Sequence, residues 1–179
     1  GPGLVIETVR EILPANGVAT VDSGAHRILL SQMWECYEPR GLLQSTGLCT
    51  MGCAVPLAMG FQLASPERPV VAFTGDAGLE MVLGELATLR DLKLPVVIVV
   101  FVDESLALIE LKQRRSKMSN HGVDFGPTNF PKVAEALGGE GRWVSDRSDL
   151  IEAFEGAFER RTFSLLACKI GYKVYDDRF

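Results

Sequence analysis

Two apolar patterns alternate along the chain. Short runs rich in β-branched residues occur at positions 18–21, 70–73, 96–102 and 164–170. The runs at 70–73 and 96–102 are continuously apolar, as expected of strands covered on both faces. Between the runs lie amphipathic stretches with helical spacing, at 4–13, 51–63, 79–92, 106–112, 130–137 and 148–158. Strands alternating with helices predict an α/β fold: a parallel sheet of about five or six strands with helices on both faces. Residues 114–128 carry Asn120, Gly122, Gly126 and Pro127 behind a basic start at Lys112, Arg114, Arg115 and Lys117, and read as a mobile, lid-like loop.

Chemistry enters where strands end. The run at 70–73 passes into Gly75-Asp76-Ala77-Gly78 and then a helix. Small residues let a backbone turn tightly and approach a ligand, and the free amides of a new helix favour an anion. Asp76 there is either a helix cap or a ligand for a divalent cation placed between it and the anion. The second long run ends at Asp103-Glu104-Ser105. If the two strands are neighbours, Asp76 and Asp103 reach one crevice at the carboxyl ends of the sheet, where open α/β sheets bind ligands. Two carboxylates converging on one point are costly without a cation between them.

Composition narrows the partners. The chain has 179 residues, enough for one domain with a sizeable core. A net charge of −5 argues against nucleic acid and against an anionic membrane. No apolar run reaches membrane-spanning length and no signal-peptide pattern opens the chain, so a cytoplasmic location is expected. Cys36, Cys49, Cys53 and Cys168 fit no zinc spacing and read as reduced thiols.

These motifs resemble, in order and over nearly the whole chain, the acetolactate-synthase-like family of thiamine-diphosphate enzymes. Its metal–diphosphate signature is a Gly-Asp-Gly turn followed one strand later by an Asn pair. Gly75-Asp76-Ala77 resembles the first part and Val102-Asp103 the second. Gly47-Leu48-Cys49-Thr50-Met51-Gly52 is similar to the family's Gly-Leu-Gly-x-Met-Gly turn, and Asp22-Ser23-Gly24-Ala25-His26 to its first diphosphate loop. The resemblance implies thiamine diphosphate and Mg²⁺ as cofactors. It implies Mg²⁺ binding by the Asp76 and Asp103 side chains and the Ser105 carbonyl. Diphosphate contacts would come from Ser23, Gly24, His26, Gly75, Ala77 and Gly78, with Leu106 and Ala107 beside them. Met51 would support the bent cofactor, and the Cys49 carbonyl would accept a bond from its aminopyrimidine.

The sequence departs from the pattern at Ala77 and Cys49, where glycines are usual, and at Val102-Asp103. Lys112 stands near the position of a tryptophan in acetolactate synthases. The family's activating glutamate belongs to a separate pyrimidine-binding domain, usually of a neighbouring subunit, and nothing here resembles it. The resemblance thus implies a single diphosphate-binding domain over residues 1–179, similar to the final third of a family chain. It would be a fragment or one subunit of a split enzyme, homo-oligomeric, with no catalytic residue of its own and inactive alone. The complete enzyme would act as a carboligase or lyase on a small 2-keto acid. A non-catalytic module of the same fold, binding a partner or a nucleotide, is the alternative. A nicotinamide-binding domain is disfavoured because no Gly-x-Gly-x-x-Gly follows the first strand.

Overall fold

The computed structural model describes residues 1–171, 173–176 and 178. Tyr172, Asp177 and Phe179, which the sequence reading places in the same domain, lie outside the described residues. The described strands are β1 (Val18–Val21), β2 (Leu42–Gln44), β3 (Val70–Gly75), β4 (Val97–Val102), β5 (Glu140–Val144) and β6 (Ser164–Lys169). They form one six-stranded sheet in the order β2-β1-β3-β4-β6-β5, with every neighbouring pair parallel. The described helices are α1 (Pro2–Ile12), α2 (Ala25–Met33), α3 (Ala54–Ala64), α4 (Asp76–Glu80), α5 (Glu85–Asp91), α6 (Ala107–Arg115), α7 (Phe130–Ala136) and α8 (Arg147–Phe154).

The two-residue period of a strand sends neighbours to opposite faces. Val71, Phe73, Val97 and Val99 pack under Ile6 and Val9 of α1, Leu29 and Leu30 of α2 and Leu150 of α8. Val70, Ala72, Ile98 and Val100 face the other way, toward Ala54 and Val55 of α3, Leu86 and Leu89 of α5 and Phe130 of α7. Both layers therefore bury the central strands, which is why β3 and β4 carry no polar alternation. Local signals fix some helix starts. The Asn129 side chain accepts the Lys132 amide ahead of α7, and Asp146 accepts the Asp149 amide ahead of α8. No helix among the described residues is long and apolar enough to cross a membrane.

The strand order places the crevice. From β1 the chain crosses by α2 to β2 on one side, then returns by α3 to β3 on the other. The connection leaving β1 runs over one face with α2 and the connection leaving β3 over the other with α4 and α5, so the two part at the carboxyl ends of these strands, the switch point where open sheets bind ligands. Register brings Val21 opposite Phe73 and Gly75 opposite Phe101. The residues that follow these strands, from Asp22, Asp76 and Asp103 onward, therefore meet at one edge.

Several elements differ from expectation. The stretch 79–92 is two helices with turns at 81–84 between them, and 51–53 is a turn ahead of α3. Gly52 there has φ 78°, a conformation that favours glycine. Helix α6 runs on to Arg115, into the region read as loop. The rest of that region is docked. Leu106 donates to the Val123 carbonyl, Phe125 donates to the Glu104 carbonyl, and the Thr128 hydroxyl donates to Glu80. Val123 is 3% exposed. The expected lid thus touches the turns around it at Val123, Phe125 and Thr128, while most of its other residues are exposed.

Candidate functional site

A cavity opens at the switch point, lined by Ser23, Gly24, His26, Met51, Gly75, Asp76, Ala77, Gly78, Asp103, Ser105, Leu106 and Ala107 among others. The structure thus brings together every sequence-predicted site residue except Cys49. That residue is exposed on the loop before α3, with φ 49°, a region where L-residues are uncommon, and Arg27 donates to its sulfur at 3.1 Å. Ala77 is helical and not among the positive-φ residues, so alanine fits where the family has glycine.

Asp76 is the first residue of α4 and is 3% exposed. Its carboxylate joins two turns: Oδ1 accepts the Ala77 amide at 2.8 Å, while Oδ2 accepts the amides of Asp103 at 3.0 Å and Glu104 at 2.7 Å. Glu104 holds φ 58°, so the backbone bends sharply to deliver its amide. Burial pushes the Asp76 carboxyl up, against the three amides that favour its charge. Asp103 is pushed up to about 7, first by burial and then by the charge of Asp76. A buried and a half-buried carboxylate repelling each other are the condition a divalent cation relieves. Each also keeps unused oxygen lone pairs. Ser105 points its hydroxyl at Asp124, and its carbonyl takes no part in the bridge between these residues. Among the described residues no group of three or more His, Cys, Asp or Glu converges as a metal site. Two carboxylates alone would leave the rest of any bound cation's shell to ligand and water oxygens.

Other participants escape the motif reading. Phe101 and Tyr175 line the cavity, and Tyr175 is 4% exposed, its hydroxyl pushed up by burial. Tyr175 arrives from the chain beyond β6, and Asp176 beside it is paired with Arg114 of α6 at 2.7 Å. Asp22 does not line the cavity but lies 0% exposed beneath it and bonds His26. The signal available for Asp22 was its position immediately after a strand with a histidine four residues on. Tyr175 had none beyond being an aromatic residue after the last strand.

Residues 22–168 match the family described as thiamine pyrophosphate enzyme, C-terminal TPP binding domain. The chain belongs to this family. Acetolactate synthase of Bacillus subtilis (strain 168) is 32% identical over 148 residues, covering 83% of this chain and 26% of that protein. Acetolactate synthase isozyme 1 large subunit of Escherichia coli (strain K12) is 34% identical over 177 residues, covering 96% of this chain and 31% of its own length. The chain thus spans under a third of these relatives. Among solved structures, the thiamine diphosphate-dependent 4-hydroxybenzoylformate decarboxylase of Rhodococcus jostii RHA1 superposes with a TM-score of 0.88 at 21% identity, over 96% of this chain and 33% of that one. At that identity the likeness speaks for the fold.

Proposed function

We propose that these residues are the diphosphate-binding domain of a larger thiamine-diphosphate enzyme that decarboxylates a 2-keto acid, as an acetolactate-synthase-like carboligase or lyase. The observation that carries this reading is the convergence of Asp76 and Asp103 with the turns at Ser23-Gly24 and Gly75-Asp76 around one cavity, in a chain of this family. Asp76, Asp103 and the Ser105 carbonyl would hold Mg²⁺. Ser23, Gly24, His26, Gly75, Ala77 and Gly78 would receive the diphosphate, beside Leu106 and Ala107 where α6 begins. The Ala77 amide, engaged by Asp76 at 2.8 Å, would have to be shared. Met51 would support the cofactor's bend and Cys49, at the rim, its aminopyrimidine. When bound, thiamine diphosphate supplies the nucleophilic carbon and the electron sink for the reaction. This chain's own residues bind and orient the charged end and exclude water from it.

The group that activates the pyrimidine would come from a pyrimidine-binding domain outside these 179 residues, of a neighbouring copy in a homo-oligomer. Glu80, Glu85 and Glu104, the carboxylates nearest in sequence, do not line the cavity. The domain alone should therefore bind cofactor without turnover. Calorimetric titration with thiamine diphosphate, with and without Mg²⁺, tests the reading. Metal-dependent binding with no decarboxylation of pyruvate is expected, and binding indifferent to Mg²⁺ would overturn it.

A further inference from the structure

Four separate stretches of chain meet at the Asp22 carboxylate. Its Oδ1 is 2.8 Å from His26 Nε2. Its Oδ2 accepts the Gly52 amide at 2.7 Å and the Thr74 hydroxyl at 2.9 Å. A Cβ on Gly78 would lie 2.1 Å from the same oxygen. These partners belong to the first turn of α2, the turn that carries Met51, the end of β3 just before Gly75 and Asp76, and the first turn of α4. Each of those stretches contributes lining to the cavity. A fully buried carboxylate is expensive to keep charged, and this one spends its bonds on the segments around the site and on none elsewhere among the described residues.

We propose that Asp22 is the positioning residue of the anion subsite: it fixes the His26 ring so that the doubly protonated imidazole, paired with the carboxylate through Nε2, donates to the anion from Nδ1, and it keeps the four lining segments in register. This rests on the reading that the cavity takes a diphosphate. A carboxylate only accepts, so the ring proton it meets is on Nε2. The other edge of the ring is thereby turned to the two glycine turns. A Cβ on Gly24 would lie 2.6 Å from Nδ1, and one on Gly75 would lie 3.6 Å from it. Phe101, whose ring centroid is 5.7 Å from that of His26, packs against the imidazole and limits its rotation. When the ring carries both protons it is a buried ion pair with Asp22 and a positive donor toward the cavity.

Asp22→Asn separates this role from simple packing. The Gly52 amide can only donate, so the new side-chain carbonyl must stay with Gly52 and Thr74. The NH₂ group then faces Nε2, which has to accept, and the ring proton of neutral His26 moves to Nδ1. The test is nitrogen-15 NMR of the His26 ring together with calorimetric binding of inorganic diphosphate with Mg²⁺ to this chain. The wild type should carry its proton on Nε2 when free and both ring protons when diphosphate is bound, so that Nδ1 donates to the anion. D22N should show the changed tautomer and, lacking the carboxylate that pairs the charged ring, at least about tenfold weaker binding, the loss typical of a charge-assisted bond. Thr74→Val removes one bond to Asp22 without touching the ring. It should keep the wild-type tautomer and bind within about threefold of wild type. If D22N does not fold, the wild-type tautomer and His26→Gln, with the same tenfold loss expected, decide the matter. A proton on Nδ1 alone in the free wild type overturns the proposal, as does equal binding by wild type and D22N, or equal losses in D22N and T74V. If the wild type binds no diphosphate at all, the reading of the cavity fails and the proposal with it. Binding by the wild type with no loss in D22N sinks the proposal alone.

Discussion

Replacing Gly78 with alanine separates local propensity from the packing beneath the site. Gly78 lies inside α4 and its φ is outside the left-handed region, so its conformation does not require glycine. On propensity alone, alanine would stabilise the helix by about 0.5–1 kcal/mol. Space gives the opposite sign. The added methyl would lie 2.1 Å from Asp22 Oδ2 and 2.9 Å from Thr74 Oγ1, both buried and bonded to each other. To admit it, Asp22 must move away from its donors, or α4 must lift from the end of β3. Overpacking typically costs about 1–3 kcal/mol. A weakened hydrogen bond to a charged group costs about 1.5–3 kcal/mol. A net destabilisation of about 1.5–5.5 kcal/mol follows once the helix gain is deducted. Gly60 is the matched control, since it also lies inside a helix, α3, and an added Cβ there meets nothing within 4 Å. Gly60→Ala should be neutral or stabilise by up to about 1 kcal/mol. Urea unfolding of the two variants, followed by circular dichroism, reads the difference directly. If Gly78→Ala proves as stable as Gly60→Ala, the picture of four segments closed on a buried Asp22 is wrong.

Three further outcomes are expected. Asp76→Ala would strand the amides of Ala77, Asp103 and Glu104, whereas Asp76→Asn can keep a carbonyl oxygen on the Asp103 and Glu104 amides and strands only that of Ala77. The asparagine variant should therefore remain folded and lose at least about tenfold in Mg²⁺-dependent binding of thiamine diphosphate, measured by calorimetry. Asp103 is raised to about 7 in the fold, so its contribution to stability is present at acid pH and is lost as pH rises through about 7, where the folded chain must give up that proton. Mg²⁺ with inorganic diphosphate should accordingly raise the melting temperature more at pH 8 than at pH 5.5, and equal shifts would remove Asp103 from the metal set. The Cys168 thiol, pushed up to about 12 by burial, should resist iodoacetamide at pH 8 until the chain unfolds, while exposed Cys36 and Cys49 react at once, as mass spectrometry of the labelled protein would show.

The central strands were legible because both their faces are buried. Nothing but apolar residues suits β3 and β4, and the run therefore marks the strand and its end marks the site. Asp76 and Asp103 stood out for the same reason, as the first charges after unbroken apolar runs. The edge strands left no such trace. β2 is three half-buried residues, and β5 reads Glu-Gly-Arg-Trp-Val, with polar groups at positions that face water. A strand paired on one side carries half the burial and half the signal. Helix α2 was hidden differently, since its first turn lies within a stretch that resembled a ligand loop.

Asp22 shows where a one-dimensional reading stops. Its type and its place after β1 were visible, and so was His26 four residues later. Neither distinguishes a carboxylate that binds ligand from one that arranges other residues. That distinction depends on Gly52, Thr74 and Gly78, which lie 30, 52 and 56 positions away and meet Asp22 only because β1 pairs with β3 in the register Val21 to Phe73. Had that pairing slipped by one residue, every β1 side chain would change face and Asp22 would leave the position opposite Thr74. Register is held by the two-sided core, through Ala19 and Val21 on one layer and Val18 on the other. The packing of these small apolar side chains is thus the physical cause of the charge arrangement at the site. A core substitution such as Val21→Ala should disturb the His26 environment without touching it.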